Sequence, residues 1–241
     1  MLTDRDIRQL HENLARIREQ IATAAQRAGR SAGDVQLIGV TKYVSADVAR
    51  ELAAAGLLDL GESRPQELWR KVEALPDPQI RWHMIGHLQR NKLRRSLPSM
   101  ALLHSGDSLR LLDAVNAECA SLQRKQSVLI EVNISGDASK HGFQPDEVAA
   151  ALPTIAALPN LEVIGLMTMA ALEGGVDRAR RDFAALRELR DRLRPQLPPS
   201  IELRELSMGM SDDFEAAIEE GSTMVRVGSA LFEGITGDEA P

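Results

Sequence analysis

The feature that most constrains the fold of this chain is an eightfold alternation between short apolar runs and helical stretches. The runs are nearly continuous and rich in β-branched residues, which is typical of strands covered on both faces. We place them at residues 35–42, 57–62, 80–86, 101–107, 127–135, 161–169, 202–209 and 223–231. Strands that alternate with helices indicate a parallel sheet, and eight such units in 241 residues favour a closed (β/α)8 TIM barrel over a doubly wound sheet.

An extra helix precedes the first strand. Its apolar stripe consists of Ile7, Leu10, Leu14, Ile17 and Ile21, which recur with helical period between residues 4 and 28. Other helices are predicted at 45–55, 65–74, 108–123 and 176–194. No linker long enough to separate domains interrupts the pattern, so we expect one domain over residues 1–241.

Composition excludes several classes of protein. The chain has 29 Lys+Arg against 35 Asp+Glu, a net charge of −6, and such an acidic surface does not attract nucleic acid or anionic membrane. It contains no apolar run long enough to span a bilayer, and its charged, helical N-terminus is unlike a signal peptide. The only cysteine, Cys119, excludes a disulfide framework and a zinc site built on thiolates. We therefore expect a cytoplasmic protein.

The loops after strands seven and eight favour phosphate binding. Barrel enzymes have their sites at the C-terminal ends of the strands, and these two loops often hold phosphate. Here each loop combines glycine with serine, at Gly209 and at Gly228, and a helical pattern follows. Glycine lets the backbone approach an anion, and a helix N-terminus offers free N–H groups. Asp212 and Glu215 have the spacing of a capping box, which predicts a helix start there. The alternative is that both glycines only form turns.

Lys42 ends the first strand and points toward the predicted barrel mouth. Opposite a phosphate site, a lysine suggests a Schiff base with a phosphorylated aldehyde or ketone, either pyridoxal 5′-phosphate (PLP) or an aldolase sugar phosphate. A solvated surface lysine is the alternative. Arg226, in an apolar strand two residues before Gly228, favours PLP because a guanidinium there would face the pyridine nitrogen and keep it unprotonated. The other interpretation of Arg226 is a buried ion pair with Glu205.

An ordered set of motifs runs through nearly the whole chain: LIGVTKY, GESRPQE, WHMIGHLQRNK, LHSGDSL, VNISGDASKHGF, GLMTMA and LSMGMSDDFEAAIEEGSTMVRVGSALFE. In this set the sequence resembles the YggS/PROSC family of PLP homeostasis proteins. The resemblance implies a fold-type-III barrel like the N-terminal domain of alanine racemases. It also implies PLP held covalently on Lys42 as an internal aldimine, in a protein of intracellular vitamin B6 homeostasis.

The resemblance also implies a set of cofactor-binding residues. Phosphate contacts are expected from Ser207, Gly228 and Ser229, with Arg226 beside the pyridine nitrogen. The residues expected to line the ring are His83, Ile85 and Met210. Gly209, in the predicted phosphate loop, and Met167, which core packing also explains, are further predicted cofactor-binding residues. The family usually has asparagine where this chain has Ser63, so the shorter hydroxyl replaces an amide at that contact.

The same family comparison favours binding and supply of PLP over turnover. Fold-type-III racemases have a second, β-rich domain, which in alanine racemases provides a tyrosine acid/base; here the only tyrosine is Tyr43. Two-base racemisation needs a proton-transfer group on each face of the substrate, and the sequence offers no partner for Lys42. We expect a monomer that stores PLP or delivers it to PLP-dependent apoenzymes. A fold-type-III amino-acid racemase and a Schiff-base aldolase are the alternatives.

Three further sequence features are interpreted as structural and not as functional. His83 and His87 lie four residues apart but lack the glutamate of an HExxH motif, so no metal site is predicted. The basic segment 90–95 is interpreted as a solvated helix face. Lys140 is interpreted as a solvated loop lysine, with a second aldehyde-reactive amine as the alternative.

Overall fold

The computed structural model describes residues 2–137, 139–171 and 173–235, and these form a closed barrel of eight parallel strands. The strands follow one another around the barrel in chain order, and β8 pairs with β1 to close it. The strands are β1 Gln36–Val40, β2 Asp59–Glu62, β3 Arg81–Met84, β4 Met100–Gly106, β5 Gln126–Glu131, β6 Leu161–Met167, β7 Ile201–Ser207 and β8 Met224–Val227. Each overlaps its predicted run, so the prediction of a closed (β/α)8 barrel is confirmed.

The helices cover the outside of the barrel. They are α1 Asp4–Arg27, α2 Ala46–Ala54, α3 Pro65–Ala74, α4 Leu93–Ser96, α5 Leu109–Ser121, α6 Glu147–Ala156, α7 Gly175–Leu193 and α8 Phe214–Glu219. Helix α6 has no counterpart among the predicted helices, and it contains Pro153, a residue that helix interiors disfavour. No helix in the described part of the chain is both long and apolar enough to cross a bilayer.

Helix α1 occupies the place of an eighth barrel helix. In the described residues, β8 is followed only by a short 3-10 turn, Ser229–Leu231, while α1 packs against both α8 and α2. The Asn13 side-chain amide donates to the backbone oxygens of Leu231 and Glu233 at 3.0 and 2.9 Å. The extra N-terminal helix therefore completes the outer layer beside β8.

Helix α8 begins one residue later than the sequence predicts. Its N-cap is Asp213, and Asp213 makes no side-chain bond to the first turn of the helix. Its Oδ1 accepts a hydrogen bond from the Met210 N–H at 2.6 Å, and Glu215 pairs with Arg27 at 2.8 Å. The predicted capping box of Asp212 and Glu215 is therefore wrong, because the N-cap is Asp213 and the Glu215 carboxylate pairs with Arg27.

The barrel interior has an apolar layer with polar groups above it. The apolar layer consists of Leu102, Leu129, Met167 and Met224, which pack together apart from the main core between barrel and helices. They come from β4, β5, β6 and β8, so they meet across the barrel axis. Side chains alternate along a strand, so the residue two positions further on also points inward, nearer the C-terminal end.

A fully buried lysine on α3 fixes the ends of β1 and β2. The Lys71 ammonium donates to Glu62 Oε1 at 2.5 Å and to the backbone oxygen of Thr41. The Thr41 hydroxyl donates to the same carboxylate oxygen at 2.5 Å. Burial raises the pKa of Glu62, and Lys71 opposes that shift. Because Thr41 precedes Lys42, this ion pair holds the backbone from which Lys42 projects.

Replacing Lys71 with methionine should destabilise the protein by about 3–5 kcal/mol, because Glu62 would remain buried without its cation. The double variant Lys71→Met/Glu62→Gln should recover much of that loss, since it removes the buried charge as well. Urea denaturation of the three proteins at neutral pH measures both effects. A single variant as stable as the wild type would contradict this account of the ion pair.

Candidate functional site

A cavity of about 640 Å³ opens at the C-terminal ends of the barrel strands. This volume lies within the range of small-molecule sites. Seven of the eleven predicted cofactor-binding residues line it: Lys42, Ser63, Ile85, Met210, Arg226, Gly228 and Ser229. They follow or lie on β1, β2, β3, β7 and β8, so the strand ends bring together residues that are far apart in sequence.

The other four predicted site residues are not on the cavity wall. Met167 belongs to the apolar layer, whereas His83 and Ser207 are buried in a polar chain described below. Gly209 has a φ of +94°, and a Cβ there would lie 2.6 Å from the Cβ of Ala217, so only glycine suits the turn. Its backbone oxygen accepts the Arg226 N–H at 3.0 Å. These four residues are therefore buried next to the cavity and do not line it.

Lys42 reaches the cavity with an uncommitted amine. The side chain is exposed, and its Nζ lies 4.8 Å from the ring centroid of Tyr43. Within the described residues, no hydrogen-bond or ion-pair partner engages this Nζ. By contrast, the Lys140 Nζ donates to the backbone oxygens of Met169 and Ala170 at 3.3 and 2.6 Å. Lys140 therefore fastens its loop to the end of β6, and Lys42 is the amine available to a bound molecule.

Arg226 places a buried guanidinium on the cavity wall. Its two terminal nitrogens donate to Ser207 Oγ at 2.6 Å and to the backbone oxygen of Thr168 at 2.9 Å. The alternative of an ion pair with Glu205 is wrong, because the carboxylate of Glu205 accepts from the Thr223 hydroxyl at 2.6 Å and pairs with Arg204. Burial lowers the pKa of Arg226 to about 10, against the attraction of Glu131 and Asp213. The group remains cationic at neutral pH.

A chain of buried hydrogen bonds runs from Arg226 down through the barrel. Ser207 Oγ lies 2.8 Å from Nδ1 of His104, and Nε2 of His104 lies 2.9 Å from Nδ1 of His83. Nε2 of His83 then lies 3.0 Å from Oδ1 of Asp59. Because Arg226 can only donate, the network assigns each hydroxyl or imidazole an N–H or O–H directed toward Asp59. Each imidazole then accepts at Nδ1 and donates from Nε2, so every member has a partner.

The two ends of this chain differ in charge. Burial lowers the pKa of His104 well below its ordinary value, and the neighbouring His83 and Arg226 lower it further. At the far end burial opposes ionisation of Asp59, but hydrogen bonds from Arg81 and His83 hold its pKa below the usual range. The chain thus joins a cation at the cavity to a carboxylate at the opposite end.

His104 should therefore remain neutral between pH 5 and 8, with its proton on Nε2, because Nδ1 accepts the Ser207 hydroxyl. Long-range ¹H–¹⁵N correlation spectra of the imidazole rings report both protonation and tautomer. The exposed His11 on α1 provides the reference signal, and His104→Asn assigns the resonance. A His104 ring that gains a second proton in this range would contradict the assigned direction of the chain.

Glu131 is a titratable cavity residue that the sequence analysis misses. It ends β5 and lines the cavity while only 4% exposed. Burial raises the pKa of Glu131 to about 7, and the nearby Asp107 contributes in the same direction. The signal that identifies it is the two-residue period, since Glu131 follows the interior residue Leu129 by two positions.

The raised pKa of Glu131 gives stability a defined pH dependence. The native state binds this proton more tightly than the unfolded chain, so stability is lost as pH rises through the interval from about 4.5 to 7. Glu131→Gln should therefore gain stability relative to the wild type with rising pH, by up to about 3 kcal/mol at pH 8. Urea unfolding at pH 4.5 and pH 8 measures the difference, and an equal effect at both pH values would contradict it.

Backbone donors cluster where the loops after β7 and β8 meet. The N–H groups of Gly228 and Ala230 converge on the hydroxyl of Ser211, at 3.2 and 3.4 Å. Ser211 lines the cavity but is not among the predicted site residues. Converging N–H groups of this kind suit an anionic oxygen. This location agrees with the phosphate site expected from the glycines of the two loops.

Comparisons with known proteins agree with this geometry. The family model of the alanine racemase N-terminal domain matches residues 13–235. The pyridoxal phosphate homeostasis protein of Aquifex aeolicus is 42% identical over 221 residues, covering 92% of this chain and 96% of that protein. The human pyridoxal phosphate homeostasis protein is 38% identical, with coverage of 91% and 84%.

Solved structures include relatives that share the fold of this chain. PipY of Synechococcus elongatus, determined with PLP bound, has a TM-score of 0.82 and 34% identity, with coverage of 92% of this chain and 99% of PipY. Alanine racemase of Clostridium difficile, at 17% identity and a TM-score of 0.72, shares the fold over 99% of this chain but only 58% of its own length.

The fold and the family match define a barrel of the alanine racemase N-terminal class. Within that class, the chain belongs to the family of pyridoxal phosphate homeostasis proteins. The family expectation drawn from the sequence motifs is confirmed.

Proposed function

We propose that this protein binds PLP in the cavity at the strand ends and acts in intracellular vitamin B6 homeostasis. The observation that carries the proposal is that one cavity joins the uncommitted amine of Lys42 to the buried guanidinium of Arg226. The PLP-bound structure of PipY and the names of the curated relatives support the same ligand.

The residues present fit the chemical groups of PLP. Arg226 uses two nitrogens on Ser207 and Thr168, and its remaining N–H groups are available to an acceptor such as an unprotonated pyridine nitrogen. The donors around Ser211, together with Ser229, suit the phosphate. Apolar side chains such as Ile85, Met169 and Met210 line the cavity between these polar ends and suit a flat ring. When bound, PLP supplies an electrophilic aldehyde and an electron-withdrawing ring.

Lys42 is the residue proposed to hold the cofactor covalently. Its Nζ would attack the aldehyde carbon, and the carbonyl oxygen would leave as one water as the carbon–nitrogen double bond forms. The reaction is reversible, because water or another amine can displace Lys42. We propose that the protein, as a monomer, stores PLP in this way and transfers it to PLP-dependent apoenzymes.

The first test is the visible absorption spectrum of the purified protein with added PLP, before and after borohydride reduction. The wild type should show a yellow band that borohydride bleaches, because reduction converts the Schiff base to an amine. Lys42→Ala should lack the band. Mass spectrometry of the reduced, digested protein should locate the adduct on Lys42.

Lys140→Ala is the matched control, since Lys140 is the other lysine near the cavity and its amine is already bound by backbone oxygens. It should retain the band and the adduct. A colourless wild type with added PLP, or an adduct on Lys140 instead, would overturn the assignment. Incubation of the yellow protein with a PLP-dependent apoenzyme then measures transfer as recovered enzyme activity.

A further inference from the structure

Three potential metal ligands meet on one side of the cavity mouth. His87 follows β3, Asp107 follows β4 and His141 lies in the loop after β5, so neighbouring strand ends bring them together. One ligand atom from each residue lies within 4.8 Å of the other two. No other group of three or more such residues is found within residues 2–137, 139–171 and 173–235.

Hydrogen bonds and ring stacking hold part of this group in place. Nδ1 of His87 lies 2.6 Å from Oδ2 of Asp107, and the Ser108 hydroxyl donates to Oδ1 of the same carboxylate at 2.9 Å. The rings of His87 and His141 stack, with centroids 4.3 Å apart and an interplanar angle of 16°. Asp107 is therefore a buried carboxylate held by its neighbour, and both imidazoles lie at the surface beside it.

The charge around the group also favours a cation. Asp107 contributes to the raised pKa of Glu131, so two carboxylates lie close enough to repel each other. Arg226 and His87 attract Glu131 and offset part of this repulsion. A cation near Asp107 would relieve this repulsion at the acidic side of the cavity.

We propose that His87, Asp107 and His141 form a binding site for a divalent transition-metal ion, with Zn²⁺ as the preferred occupant. Imidazole and carboxylate ligands suit Zn²⁺, at ligand distances of about 2.0–2.2 Å. The ligand atoms lie within 4.8 Å of one another, so binding would require the two exposed imidazoles to turn toward the carboxylate. Binding would replace the hydrogen bond between His87 and Asp107 with a metal–ligand bond to each residue.

The ion has a consequence for the cavity. His87 and His141 both line it, as does Lys42. Three protein ligands leave the fourth tetrahedral position open, so an anionic or amine group of a molecule in the cavity can complete the coordination. The site thus gives the cavity a further polar anchor, separate from Arg226 and from Lys42.

Isothermal calorimetry with Zn²⁺ alone, added to the full-length protein at neutral pH, tests the proposal. One equivalent should bind the wild type, and His141→Gln, His87→Gln and Asp107→Asn should each weaken binding at least about tenfold. Co²⁺ in place of Zn²⁺ should give visible bands that these variants lose. Cys119 is buried and provides no competing thiolate at the surface.

Two control variants test whether Zn²⁺ binds at this group of residues and not elsewhere. His11→Gln removes an exposed histidine outside the group and should bind Zn²⁺ like the wild type. Lys42→Ala should also bind normally, because the metal site does not rest on the proposed PLP linkage, and this variant excludes chelation by a covalently held cofactor. Wild-type binding by His141→Gln, whose exposed side chain is not needed for folding, would overturn the proposal, as would the lack of stoichiometric binding by the wild type.

Discussion

The buried guanidinium of Arg226 is the constraint on which the interior of this barrel depends. An arginine removed from water needs hydrogen-bond acceptors, and its loss of solvation costs several kcal/mol unless they are provided. The strand backbone supplies one acceptor, Thr168, and the side chain of Ser207 supplies the other. Ser207 accepts from Arg226 and therefore donates its own O–H to His104. His104 in turn needs an acceptor, which is His83, and His83 donates to Asp59. A barrel interior that is usually filled by branched aliphatic residues is therefore polar along one path.

Two lysines near the end of β1 have different roles because one is buried and the other is exposed. Lys71 has no exposed surface and is neutralised by Glu62, so its ammonium serves structure. Lys42, one residue beyond the Thr41 carbonyl that Lys71 holds, projects into the cavity with its amine free. A buried ion pair is weak evidence for stability, but it restricts the backbone to one arrangement. Here that arrangement orients the strand end that carries the proposed Schiff-base lysine.

The sequence predicts the fold well because a parallel barrel depends on a regular alternation that single residues rarely disturb. It also predicts which strand ends form the cavity, and Lys42 and Arg226 both lie there. It does not reveal the interior hydrogen bonds of Ser207 and His83, whose contact with a ligand stays a prediction. The residue type alone does not distinguish a polar residue that lines the cavity from one that lies a layer deeper in the barrel. The alternation of inward and outward side chains resolves them once the strand ends are fixed, and it identifies Glu131 two positions after Leu129. The partners of exposed histidines depend on loop conformations that no periodicity encodes.

The electrostatics of the cavity bear on how the proposed carrier would hold and release its ligand. Its wall carries the Arg226 guanidinium, which stays charged at neutral pH, and the Glu131 carboxyl group, whose pKa of about 7 places it between charge states. An anionic cofactor is attracted by the first group and repelled by the second when Glu131 ionises. Lys42 is exposed, so a competing amine could reach the proposed covalent bond without opening the barrel. A rigid interior joined to an accessible linkage suits reversible storage better than an enclosed site that excludes water for turnover.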